Sequence, residues 1–145
     1  MKTILTMSLT ADIRYIQVAS DTALRVAEIF SPGAGSTGEK QKFCDKFQLA
    51  VAEAFSNSAR YTLSPENPGM VSIAFLSGEE GLTVCVGDTN AAFDPEPKVP
   101  DILSYPEGGY GLFIIHQLMD SVVYSRESGV NLLSMTKKPD SSPTN

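Results

Sequence analysis

The chain has 145 residues, 42% of them hydrophobic, 19% charged and 8% aromatic, which suits one compact domain with a single core and is too short for two. Eleven Lys and Arg against 17 Asp and Glu give a net charge of −6, which argues against direct nucleic-acid binding through the phosphate backbone, a mode that needs clustered cations. Two cysteines, Cys44 and Cys85, make neither a disulfide scaffold nor a zinc-ligand spacing, and the lone histidine, His116, rules out a His-cluster metal site.

The amino terminus carries one cation, Lys2, and a short apolar stretch broken by Thr3, Thr6 and Ser8, with no small-residue cleavage pattern. No segment approaches the ~20 apolar residues of a membrane span. The expectation is a cytoplasmic protein with reduced thiols and no membrane partner.

In chain order, Lys2 to Leu9 is β-prone, and Thr10 or Asp12 is placed to cap a helix. From Ala11 to Phe30 the residues Ile13, Ile16, Ala19, Ala23, Leu24, Ala27 and Phe30 recur at three- and four-residue steps, which predicts one amphipathic helix. Ser31 to Ser36 is a turn-rich connector. A second helix is predicted over Gly38 to Leu63, with Phe43, Phe47, Ala50, Val51, Ala54 and Ser58 on one side, ended by Pro65, Asn67, Pro68 and Gly69. Met70–Leu76 and Leu82–Val86 read as a hairpin around Ser77 to Gly81.

The segment Phe93 to Glu107 reads as a loop long enough to cover a site. Gly111 to Asp120 reads as a short helix. Strands Ser121–Glu127 and Val130–Lys137 come next, around Ser128-Gly129, and residues 139–145 read as a frayed tail behind a domain of residues 1–138. This order predicts an α+β two-layer sandwich, with an antiparallel or mixed sheet and its helices on one face.

Several residue patterns bear on chemistry. Gly33 to Lys40 looks like a P-loop but has Glu39 between the last Gly and Lys40, so it is a linker. Glu53 and Asn57 lie four apart and project from one face of the second helix, edging its apolar stripe. An Asn oxygen is a hard ligand suited to Mg²⁺, and a nearby Glu can accept a proton; the alternative is a plain polar pair on a helix flank. Asp88 ends a strand, where an acceptor-only carboxylate suits an exocyclic amine, or where it makes an ordinary Asx-turn. Gly108-Gly109-Tyr110-Gly111 opens the apolar helix at Leu112, either as a flexible entry turn or as a place where backbone amides meet phosphate. Cys44 and Cys85 read as small hydrophobes, and His116 as a helix-surface residue.

Taken together and in this order, Glu-x-x-x-Asn on a helix, a strand ending in Asp, a long loop, and Gly-Gly-x-Gly-Leu-Phe opening a helix resemble the histidine-kinase-like (GHKL) ATPases. Within them the chain is most similar to the anti-sigma factor serine/threonine kinase family. The likeness runs through Leu49–Tyr61, Val84–Pro95, Glu107–Asp120, Ser128-Gly129-Val130 and Met135-Thr136-Lys137.

The resemblance implies a Bergerat-type ATP-binding fold with a mixed, mostly antiparallel sheet, and ATP and Mg²⁺ as cofactors. It makes Asn57 the metal-holding residue, Glu53 the general base and Asp88 the adenine-reading carboxylate. Asn90, Gly108, Gly109, Gly111 and Leu112 complete the nucleotide site under a lid of Phe93 to Glu107. The implied activity is phosphoryl transfer to a STAS-type anti-anti-sigma protein, alternating with capture of a sigma factor or another response regulator, with a homodimer as a further partnership.

Two positions depart from the pattern. The first glycine box reads Asp88-Thr89-Asn90-Ala91-Ala92, with Asn90 and Ala92 at glycine positions, and Tyr61 stands where the family often has His. Asn adopts positive φ more readily than most residues, which would let Asn90 replace glycine. The altered box leaves open an antagonist that binds proteins without catalysis, its binding nucleotide-modulated or nucleotide-free, and a hydrolase that uses water as acceptor is a third reading.

Overall fold

A computed structural model describes residues 1–31, 37–60, 66–90 and 111–139. In chain order these form β1 (Lys2–Thr10), α1 (Ile16–Phe30), α2 (Thr37–Arg60), β2 (Met70–Gly78), β3 (Gly81–Asp88), α3 (Gly111–Leu118), β4 (Ser121–Glu127) and β5 (Val130–Lys137). The strands make one sheet in the order β1-β2-β3-β5-β4. Every neighbouring pair is antiparallel, so the mixed sheet allowed by the sequence becomes wholly antiparallel among these residues. The connections explain this. Glu79-Glu80 and Ser128-Gly129 close tight hairpins, and the two-helix excursion α1–α2 brings the chain back to the sheet end it left, where Met70 pairs with Thr10.

Strand alternation puts Val71, Ile73 and Phe75 of β2, Leu82, Val84 and Val86 of β3, and Leu133 and Met135 of β5 in the buried core. Register aligns them across the sheet: Ile73 opposite Val86, Val86 opposite Leu133, Phe75 opposite Val84, and Val84 opposite Met135. Such cross-strand pairs fix register, because a one-residue slip would turn each apolar row outward. The opposite face mixes hydroxyl and small side chains with Leu76, Leu132 and Val123, and there Thr83 is bonded to Thr136 at 2.8 Å.

The helices cover the apolar face. Rings of Phe30, Phe43, Phe47 and Phe75 follow one another with centroids 6.0, 6.4 and 6.1 Å apart, linking the end of α1 through α2 to β2. Phe47 and Phe75 are fully buried. Burial of aromatic side chains such as these is worth about 1.5–3 kcal/mol apiece, and the file of rings holds α2 firmly against the sheet.

The first predicted helix is split. Asp12 takes the N-cap position, its carboxylate accepting from the backbone N–H of Arg14 at 2.9 Å, and Ile13–Tyr15 form a 3₁₀ turn before α1 begins. Ile13, counted in the apolar stripe, is therefore exposed, whereas Ala19, Ala23 and Ala27 are fully buried. The Arg14 guanidinium bonded to Asp12 holds that carboxyl below its ordinary range.

The second helix starts at Thr37, and residues 61–63 of the predicted span lie outside the described part. The third stops at Leu118 instead of Asp120. There Lys137, itself buried, donates from Nζ to the Leu118 carbonyl at 3.0 Å, and Asp120 donates its N–H to Thr136. That cation closes the helix carboxyl end and ties α3 to β5. Ser128 (φ 51°) and Gly129 (φ 79°) have the paired positive φ of a type I′ turn, which matches the strand twist at the β4–β5 hairpin.

Cys44 is buried, and burial, followed by the charge of Glu28, pushes its thiol up, in keeping with a small hydrophobe. Cys85 differs: it is half-buried on the outer face, where its Sγ and Ser134 Oγ share a hydrogen bond at 3.3 Å. His116 is half-buried on α3. No helix among the described residues is long and apolar enough to cross a membrane. The predicted lid, Tyr61, Ala92, Gly108, Gly109 and the tail from residue 140 lie outside the described residues.

Candidate functional site

Helix periodicity puts Phe47, Val51, Ala54 and Phe55 of α2 into the core and leaves Glu53 and Asn57 half-buried beside that stripe, one turn apart. Asn57 faces the start of α3. A Cβ built on Gly111 would stand 2.7 Å from Asn57 Nδ2 and 2.9 Å from Oδ1, closer than side-chain carbons approach other atoms. Glycine at 111 is therefore required by contact: it lets the first turn of α3, with its outward-pointing N–H groups, lie directly against the Asn57 amide. Leu112, next on α3, packs its half-buried side chain against the core.

The residue after Asn57 turns the other way. Ser58 is buried and donates its hydroxyl to Asp88 Oδ2 at 2.6 Å. Asp88, also buried, ends β3 at an inward-facing position in phase with Val84 and Val86. Its Oδ1 accepts from the Asn90 N–H at 3.0 Å, which is the Asx-turn the sequence allows, and from Asn131 Nδ2 at 2.8 Å. A carboxylate oxygen has two lone pairs, so Oδ1 is filled and Oδ2 keeps one acceptor direction beyond Ser58.

Asn90 corrects an expectation. Ser128 is the only non-glycine residue at positive φ among the described residues, so Asn90 does not stand in for glycine by adopting left-handed backbone. It acts through its side chain, donating from Nδ2 to the Ser58 carbonyl at 2.8 Å. Its own carbonyl accepts from Asn131 Nδ2 at 2.9 Å and from Arg126 Nη1 at 3.0 Å. The start of the altered glycine box is thus fastened to the last turn of α2 and to β5.

A family model described as histidine kinase-like ATPase domain matches residues 10–137. The chain belongs to the histidine kinase-like ATPase family. Its relatives include proteins named serine-protein kinase RsbW. It is 31% identical to the serine-protein kinase RsbW of Staphylococcus aureus over 90% of this chain and 84% of that one. It is 32% identical to the Listeria monocytogenes RsbW over 72% and 71% of the two chains. The RsbW of Bacillus velezensis is 35% identical, over 64% of this chain and 63% of its own. A crystal structure of the RsbU and RsbW domains of a Mycobacterium tuberculosis protein superposes with a TM-score of 0.60 at 15% identity, covering 93% of this chain and 32% of that one, a likeness of fold.

The residues of this ATPase domain suit the groups its family uses. Asp88 presents one acceptor direction at the edge of the core, and Gly111 brings the start of α3 against the Asn57 amide, where a Cβ would clash. Among the described residues no three His, Cys, Asp or Glu side chains converge to cage a metal. Asn57 has an amide oxygen, a hard neutral donor of the kind Mg²⁺ accepts.

Sequence reasoning misses Ser58, Asn131, Arg126 and Tyr124 as parts of the site. Ser58 reads there as a member of the apolar stripe of α2. Asn131 carries a usable signal, a polar residue in phase with Leu133 and Met135 at a core-facing strand position, but the family motifs at Ser128-Gly129-Val130 and Met135-Thr136-Lys137 stop on either side of it.

Proposed function

We propose that this protein is an ATP-dependent protein serine kinase of the anti-sigma type, transferring the γ-phosphoryl group of ATP to a serine or threonine hydroxyl of a STAS-type anti-anti-sigma protein. It alternates this with capture of a sigma factor or another response regulator, acts in the cytoplasm, and counts a second copy of itself among its partners. The observation that carries the reading is the pair Asn57 and Ser58. These consecutive residues tie the last turns of one helix to the two halves of a nucleotide site, the start of α3 at Gly111 and the end of β3 at Asp88.

Mg-ATP supplies a transferable phosphoryl group whose charge the metal partly neutralises, so most of the protein's contribution is positioning. Asp88 Oδ2 accepts a hydrogen bond from the adenine amino group. Asn57 would offer its amide oxygen to the metal, and the backbone amides at the start of α3 would meet the phosphates, favoured by the positive end of the helix dipole. Glu53, one turn back along α2, accepts the proton of the attacking hydroxyl.

Calorimetric titration with Mg-ATP and Mg-GTP tests the assignment of Asp88 to the base. Asp88→Asn puts a donor where adenine needs an acceptor and is expected to weaken ATP by about 1–3 kcal/mol, roughly 5- to 150-fold, with little effect on GTP. Equal losses for both would assign Asp88 to turn geometry alone. Partner capture by a wild-type protein that binds neither nucleotide would favour the nucleotide-free antagonist, the reading prompted by Asn90 in the glycine box.

A further inference from the structure

Register carries the chemistry of Asp88 across the sheet. Asp88 on β3 lies opposite Asn131 on β5, and Asn131 lies opposite Arg126 on β4, so the three form one row over three strands on the same face, buried at Asp88 and Asn131 and exposed at Arg126. Asn131 is 1% exposed. Its Oδ1 accepts from Arg126 Nη1 at 2.6 Å and from the Tyr124 hydroxyl at 2.9 Å, while its Nδ2 donates to Asp88 Oδ1 and to the Asn90 carbonyl.

An amide can be turned end for end, and here its neighbours fix the sense. A guanidinium only donates and a carboxylate only accepts, so Arg126 on one side and Asp88 on the other hold the NH₂ group toward the carboxylate. The filled Oδ1 then leaves Asp88 a single acceptor direction, on Oδ2 beside Ser58.

We propose that Asn131 and Arg126 are positioning residues that set the base specificity of the site: Arg126 orients the Asn131 amide, and Asn131 locks the Asp88 carboxylate so that it selects a base with an exocyclic amine over one with a carbonyl at that position. This rests on Asp88 reading the base, as proposed above. In this role both act through Asp88. A row that merely closed the end of the core would alter stability and leave the ratio of ATP to GTP affinity unchanged.

The test is titration of wild type, Asn131→Leu, Arg126→Ala and Arg126→Lys with Mg-ATP and Mg-GTP, alongside thermal melts. Asn131→Leu removes one of the three hydrogen bonds that orient Asp88, leaving those from Ser58 and the Asn90 N–H, and is expected to reduce the ATP-over-GTP affinity ratio about tenfold. Arg126→Ala should lower the same ratio by a smaller factor, because Tyr124 still donates to Asn131, and Arg126→Lys should restore much of it. Arg126 lies at the surface, so its variants keep the test decisive if Asn131→Leu does not fold. An unchanged ratio in Arg126→Ala and in any folded Asn131→Leu would overturn the proposal while leaving ATP binding intact. Failure of the wild type to bind either nucleotide would overturn the underlying reading, and this proposal with it.

Discussion

Glu53→Gln is expected to slow single-turnover phosphoryl transfer by ~10²–10⁴-fold while leaving Mg-ATP affinity close to that of the wild type. The substitution keeps the size, polarity and hydrogen-bonding reach of the side chain and removes only the ability to take a proton. Glu53 is half-buried on the flank of α2, which is anchored by Phe43 and Phe47, so the change leaves the packing of the helix alone. A fall in transfer with unchanged affinity therefore isolates the proton-accepting role. Transfer as fast as wild type would return Glu53 to an ordinary polar position on a helix flank.

Gly111→Ala is expected to weaken Mg-dependent ATP binding by ~10–100-fold, the range for losing a contact to a charged group. The new methyl group would lie 2.7 Å from Asn57 Nδ2 and 2.9 Å from Oδ1, and one of the two residues has to give way. Turning the short Asn57 side chain is the easier response, since α3 is held at its far end by Lys137 on the Leu118 carbonyl and by Asp120 on Thr136. Either response takes the amide oxygen away from its place beside the α3 amides. Overpacking of this kind also costs about 1–3 kcal/mol of stability, so melting temperature has to be followed together with affinity. Affinity that persists in Mg²⁺ and equals the wild-type value would show that Asn57 and Gly111 meet for packing alone.

Much of the architecture is legible in the sequence because the sheet and helices obey simple periods. Val71-Ile73-Phe75 and Leu82-Val84-Val86 alternate cleanly, and the strands, the hairpins and the helical face of α2 all come from such patterns. The boundary errors have local causes at one end and distant ones at the other. Asp12 and Arg14 form a cap that tightens the first turn into a 3₁₀ helix, which moves Ile13 out of the apolar stripe. Lys137 ends α3 two residues early from more than a dozen positions away in sequence, a contact that no local pattern encodes.

The candidate site divides along the same line. Glu53, Asn57, Asp88 and Gly111 stand in motifs whose spacing is local, so they are recognisable without their neighbours in space. Asn131 and Arg126 meet Asp88 only through strand register, which depends on β5 entering the sheet beside β3 after a long intervening segment. Asn90 attracts notice for a backbone property it does not use, and its actual contribution is a side-chain bond to the Ser58 carbonyl across the fold. Periodicity identifies elements and faces. Long-range polar partners become visible only when register is known.

The most direct test of kinase function is single-turnover transfer from Mg-ATP labelled on its γ-phosphate to the STAS-type anti-anti-sigma protein encoded nearest to this chain. Label is expected on one serine or threonine of that partner, dependent on Mg²⁺ and competed by unlabelled ATP more strongly than by GTP. A wild-type protein that binds Mg-ATP and captures the partner, yet leaves it unlabelled through many hours of incubation, would contradict the kinase assignment.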